Sequence, residues 1–152
     1  MRYGVMFLLM WVSSMAFGQE KELGELLDVW HDAAAQADLE AYMELIAEDG
    51  YYLGTDAAEV WTKAEFLAFC KPYFEKKETW AFDPVRRQVF LSEDKKMAWF
   101  EEVLDTWMGP CRGSGVFFYT DEGWKLKQYN LAVLLSNDHI GSYLQLIKER
   151  GK

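Results

Sequence analysis

Apolar positions along the chain change rhythm twice, and the changes mark out the elements. From Glu20 to Ala37, the residues Leu23, Leu26, Leu27, Trp30, Ala34 and Ala37 recur at helical spacing and predict a helix with one inward face. Asp38 is placed to cap a second helix, whose stripe is Leu39, Tyr42, Met43 and Ile46, with Glu48-Asp49-Gly50 ending it. Tyr51-Tyr52-Leu53 reads as a short strand. Thr62-Lys63-Ala64-Glu65 has the spacing of a capping box and opens a third helix carrying Phe66, Leu67, Cys70 and Phe74. Pro72 is expected to bend or end that helix near Lys71, because proline lacks the amide proton and crowds the preceding turn.

Beyond Thr79 the period becomes that of strands. Trp80 to Phe82 starts one, Asp83-Pro84 marks a turn or bulge, and Val85 to Leu91 continues. Met97–Trp107, Cys111–Thr120 and Trp124–Leu134 are three more, joined as hairpins by Gly109-Pro110 and Asp121-Glu122-Gly123. Asp138 is placed to cap a short last helix with Ile140, Tyr143, Leu144 and Ile147 inward. Helices first and a meander of long strands afterwards predict an α+β fold, with helices packed on one face of a curved antiparallel sheet.

The first eighteen residues read differently. Arg2 precedes an apolar run from Val5 to Val12, and Ala16-Phe17-Gly18 ends the stretch with small residues at the −3 and −1 positions of a cleavage point before Gln19. This is the pattern of a secretory signal peptide over residues 1–18, followed by one domain over 19–152. The other readings of the same run are a buried N-terminal helix or an uncleaved anchor, but the run is short against the ~20 residues of a membrane span. Export to the periplasm or the medium is therefore expected. The charge of the 152-residue chain is −9, and removing residues 1–18 takes away Arg2 and no acid, leaving 15 basic groups against 25 acidic ones, a net −10. An acidic surface of that size argues against nucleic acid or an anionic membrane as partner.

Several stretches resemble the nuclear-transport-factor-2-like (NTF2-like) superfamily, in particular its SnoaL-like branch. They are Trp30-His31-Asp32-Ala33-Ala34, Asp38-Leu39-Glu40-Ala41-Tyr42, Tyr52-Leu53-Gly54-Thr55-Asp56 and Trp61-Thr62-Lys63-Ala64-Glu65-Phe66 in the helical half. In the sheet they are Ala98-Trp99-Phe100-Glu101-Glu102, Arg112-Gly113-Ser114-Gly115-Val116, Gly123-Trp124-Lys125-Leu126 and Gln128-Tyr129-Asn130-Leu131. The resemblance spans the chain from the expected cleavage point to Asp138. It implies a cone of three N-terminal helices on a strongly curved sheet, a pocket between helices and sheet, and often a homodimer through the sheet's outer face. It says little about reaction, since one fold hosts many activities.

Alternation along strands sorts the pocket candidates. The resemblance implies that Trp99 and Glu101 face the concave side, with Arg112, Ser114 and Val116 beside them and Gln128 and Asn130 on the next strand. Trp30, Tyr52 and Trp61 are expected to supply walls from the helical side, together with Tyr42 and Phe66. Phe100, Leu104, Phe117, Tyr119, Tyr129, Leu131 and Val133 are then expected on the convex face as a homodimer interface. Glu101 and Arg112 form the pair with chemical interest: as partners they are a structural ion pair, and if Arg112 points away, Glu101 is a candidate general acid or base. The ketosteroid-isomerase branch of the superfamily has an Asp base at the end of the first strand. Gly54 stands about there, with Thr55 and Asp56 following, and Asp56 suits a turn.

Other chemistry is sparse. His31 and His139 have no ligand-spaced partners, so no metal site is expected, and no nucleotide or cofactor fingerprint occurs. Alternation places Cys111 opposite to Arg112 and away from the helices, which disfavours a disulfide with Cys70. The expected function is binding of a small hydrophobic molecule in the cone; the alternatives are a cofactor-independent isomerase, dehydratase or cyclase using Glu101, and a dimerising accessory domain.

Overall fold

The computed structural model describes the backbone of residues 4–150 and the side chains of residues 18–149. The expected signal peptide lies almost wholly outside the described side chains. Among the described residues, no helix is long and apolar enough to cross a membrane.

Helix α1 (Gly4–Ala35) buries Leu23, Leu27, Trp30, Ala33 and Ala34, the stripe that the 3.6-residue period predicts. It stops where Ala37 turns left-handed (φ 58°), and the amides of Ala37 and Asp38 close back on the carbonyls of Ala34 and Ala33. Helix α2 (Leu39–Glu44) starts at once, its Ala41 amide donating to the Asp38 carboxylate at 3.0 Å. It is shorter than expected. Ile46 already belongs to strand β1 (Ile46–Leu53), and Glu48-Asp49-Gly50 lie inside that strand rather than ending the helix. The reason is an irregular insertion: five steps along β1, from Ile46 to Tyr51, match two along its neighbour, from Leu126 to Gln128. Gly50 sits in the insertion, where a Cβ would lie 2.8 Å from the Ala47 carbonyl and 3.0 Å from that of Leu126.

A short strand β2 (Val60–Thr62), which the sequence pattern does not show, leads into helix α3 (Lys63–Lys76). The capping box is formed: the Glu65 amide donates to the Thr62 hydroxyl, and the Thr62 amide to the Glu65 carboxylate at 2.9 Å. Pro72 neither ends nor shortens the helix, which continues to Lys76 and closes at Lys77 with φ 57°. Phe66, Cys70 and Phe74 are buried at four-residue intervals, so one more turn buries Phe74 against Tyr42 and Trp80. Burying an aromatic side chain gains about 1.5–3 kcal/mol, the same order as the cost of an interior proline.

Strands β3 (Asp83–Leu91), β4 (Met97–Asp105), β5 (Cys111–Thr120) and β6 (Gly123–Val133) form the meander, with the expected bulge between Pro84 and Arg86. The sheet order is β2-β1-β6-β5-β4-β3. Four pairings are antiparallel, while β1 runs parallel to β6. Helices α1, α2 and α3 cover one face, giving the α+β cone the resemblance implied. After β6, a single 3₁₀ turn (Asn137–His139) leads to helix α4 (Ile140–Arg150). Its stripe of Ile140, Tyr143, Leu144 and Ile147 was expected to point inward but is exposed. The helical phase is right, but among the described residues no strand or other α-helix packs closely against it.

Candidate functional site

The concave face is set by strand parity, and the parity is the reverse of the expected one. On β4 the buried residues are Ala98, Phe100, Glu102 and Leu104, and on β5 they are Cys111, Gly113, Gly115 and Phe117. On β6 they are Trp124 and Leu126, then Tyr129 and Leu131, because a register shift opposite Val116 and Phe117 moves the inward set by one residue. Trp99, Glu101, Arg112, Ser114, Val116, Gln128 and Asn130 therefore belong to the outer face and do not line the pocket. Of the residues expected on the convex face, Phe100, Leu104, Phe117, Tyr129 and Leu131 are core, while Tyr119 and Val133 are exposed. Cys111 points inward and is fully buried; both cysteines are free, and burial pushes the Cys70 thiol up to about 12.

Hydrophobicity cannot choose the parity, since Trp99 and Val103 alternate with Phe100 and Leu104. The glycines carry the missing signal. A Cβ on Gly113 would collide with the Tyr129 hydroxyl and the Glu102 carboxylate, and one on Gly115 would come within 2.8 Å of the Phe100 ring. The face with the glycines is the crowded one, and it packs against α1.

Glu101 and Arg112 are partners, but on the outer surface. The Glu101 carboxylate is 3.4 Å from Arg112 Nε and 3.0 Å from an Arg86 amino group, both guanidinium groups being about half exposed. The buried carboxylate is the next one, Glu102, with no exposure at all. His31 Nε2 lies 2.8 Å from its Oε1, and the Tyr129 hydroxyl donates to the same oxygen at 3.1 Å. Arg87 Nε donates to Oε2 at 2.9 Å, and its NH1 reaches the Gly24 carbonyl and the Asp28 carboxylate at 2.8 and 2.7 Å. Burial pushes the Glu102 carboxyl up, but the His31 hydrogen bond and charge and the Arg87 guanidinium outweigh it and hold it below its ordinary value. An ionised carboxylate only accepts, so His31 carries its proton on Nε2. Burial, and then the Glu102 charge, raise the Tyr129 phenol well above its usual range. The cluster ties α1, β3, β4 and β6 together.

The cavity opens elsewhere, at the end of the cone formed by β1, β2, α3 and the β4–β5 turn. It holds about 120 Å³. Tyr52, expected as a wall, lines it with Trp61, also expected, and with Phe66; Trp30 instead lies in the core, stacked on Tyr42 with ring centroids 4.9 Å apart. Phe69, Trp80, Phe82, Trp107, Met108 and Leu131 complete the apolar lining, and Trp107 stands 82% exposed at the mouth. The polar lining is Gly54, Thr55 and Glu59. Asp56 makes the turn before Glu59, accepting from the Ala58 amide at 2.9 Å, and the Asp56 amide donates to Glu59 Oε2 at 3.1 Å. A Cβ on Gly54 would overlap the Glu59 carboxylate, so only glycine there lets that group fold back over the strand end. Glu59 has no periodicity to betray it, and the sequence reading missed it. Among the described residues, no group of three or more His, Cys, Asp or Glu is placed to hold a metal ion.

The SnoaL-like domain model matches residues 23–136. The chain belongs to the SnoaL-like domain family. No curated protein matches it. Among solved structures, it is similar to an NTF2-like protein of unknown function from Pseudomonas putida KT2440, with TM-score 0.67 and 13% identity over 80% of this chain and 91% of that one. An NTF2-like protein with a cystatin-like fold from Novosphingobium aromaticivorans gives TM-score 0.65 and 18% identity over 86% and 92%. A structure from Streptomyces avermitilis, provisionally named a dehydratase of the NTF2-like family, gives 0.64 and 17% over 78% and 98%. At these identities the likeness is one of fold. The SnoaL-like domain thus accounts for the cone from Leu23 to Ser136, including every residue of the aromatic cavity.

Proposed function

We propose that this SnoaL-like domain binds a small, predominantly apolar molecule in the aromatic cavity and does not transform it. The observation that carries the reading is the cavity itself: about 120 Å³ walled by seven aromatic rings, at the open end of the fold. Acid–base chemistry centred on Glu101 lacks geometric support, because that carboxylate lies on the outer face between two guanidinium groups. Glu102, the buried carboxylate, is occupied by Arg87, His31 and Tyr129, none of which lines the cavity. Native mass spectrometry of protein purified from its own source tests the reading. A bound small molecule is expected on the wild type and is lost in Trp61→Leu; a compound turned over by the wild type would overturn it.

Two further parts of the proposal concern setting. The signal-peptide pattern of residues 1–18 supports export, and the intact mass of the protein from its source should then begin at Gln19. The outer sheet face exposes Phe90, Met97, Trp99 and Phe118, which supports a homodimer through that face.

A further inference from the structure

We infer that the ligand of this cavity is a small organic cation, a quaternary ammonium or methylated amine, held by aromatic faces and the Glu59 carboxylate. The inference rests on the reading of the cavity as a binding site and names the ligand's class. The walls are dense in aromatic rings: Trp61 stacks on Phe69 with centroids 4.7 Å apart, Tyr52 stacks on Phe66 at 3.9 Å, and Trp80 and Trp107 complete the enclosure. Ring faces carry negative potential, tryptophan most strongly, and attract cations that have shed water. Aromatic walls alone would also suit a neutral hydrocarbon, so the charge decides.

Among the described residues, Glu59 is the only charged one of the lining. It forms no ion pair with Lys, Arg or His among the described residues, whereas ten other contacts of that kind are formed elsewhere. Its carboxylate keeps one backbone donor, the Asp56 amide, and folds over Gly54, itself a lining residue. An anionic ligand would meet this charge with no basic side chain in the lining to offset it. The size also fits. Taking about 30 Å³ for a water-sized group, 120 Å³ holds about four, as in a nitrogen bearing four carbon substituents.

Calorimetric titration of the purified protein with choline, and with its neutral carbon isostere dimethylbutanol, tests the inference. Choline is expected to bind about tenfold tighter than the isostere. Glu59→Gln is expected to remove most of that preference while leaving the isostere's affinity within about twofold, and Gly54→Ala, which displaces the carboxylate, should act in the same direction. If the isostere binds as tightly as choline, or Glu59→Gln leaves the preference intact, the cation assignment falls and binding of apolar molecules stands. If neither compound binds at millimolar concentration, both readings fall.

Discussion

Glu102 accepts from His31, Tyr129 and Arg87 at once, so what happens when it loses its charge is a question about several partners. Glu102→Gln keeps the shape but leaves the Arg87 guanidinium, itself largely buried, without a counter-charge on that side. Breaking a buried pair from one end costs about 3–5 kcal/mol, and chemical denaturation at neutral pH should show a loss of that order. The pH dependence follows from the direction of the shift. A carboxyl held below its ordinary value of 4.5 contributes stability above that pH, and the contribution disappears as pH falls through the lowered folded value. The gap between wild type and Glu102→Gln should therefore be full at neutral pH and narrow in acid. A gap that stays constant with pH would show that Glu102 is not ionised in the fold. Gly113 belongs to the same cluster. Gly113→Ala presses a methyl against Tyr129 and Glu102 and should cost about 1–3 kcal/mol, measured as a lower denaturation midpoint. These two residues also show what could be read beforehand. Alternation groups Glu102 with Phe100 and Leu104, and Gly113 with Cys111, but both sets are apolar enough to be buried, and the set expected to be concave, that of Trp99 and Glu101, is the outer one.

At the scale of elements, helix α3 sets local preference against packing. Its start was legible, since Thr62 and Glu65 sit at the one spacing that lets each satisfy the other's amide. Its end was not, because Pro72 argues for an earlier stop and only the burial of Phe74 among Tyr42 and Trp80 argues against it. That contact joins residues distant in sequence, and periodicity within one segment cannot reveal it. Pro72 is itself exposed, so replacing it removes no buried contact. Pro72→Ala restores a donor at position 72 for the carbonyl one turn earlier and removes the clash of the ring, worth about 3 kcal/mol in a helix interior, less about 1 kcal/mol for the freer unfolded chain. A net gain of about 2 kcal/mol is expected by thermal or chemical denaturation, with the cavity unchanged. A destabilised variant would mean that the proline ring holds a bend that Phe74 needs. Strand β2 and the insertion in β1 were invisible for a related reason: three residues, or one irregular stretch, carry too short a pattern to stand out from a loop.

For the whole molecule, the open question is what covers the outer sheet face. Four large side chains there, Phe90, Met97, Trp99 and Phe118, are each between 37% and 43% exposed. At about 200 Å² for a large side chain, they present roughly 330 Å² of apolar surface. A standard interface buries about 800 Å² per partner, a little over half of it apolar, so these four side chains supply most of the apolar contact that a two-fold dimer needs. Val103 and Val116, half-buried on the same face, add to it without helix α4, whose apolar stripe is also uncovered. The two features can therefore be separated by experiment. Light scattering at micromolar concentration should give twice the chain mass for the wild type, and the chain mass for Trp99→Glu, which puts a charge among Phe90 and its neighbours. A chain ending at Ser136 should remain dimeric, because it keeps the sheet face whole. Monomer in the wild type would remove the dimer altogether, while loss of the dimer on truncation alone would assign the contact to α4 instead of the sheet.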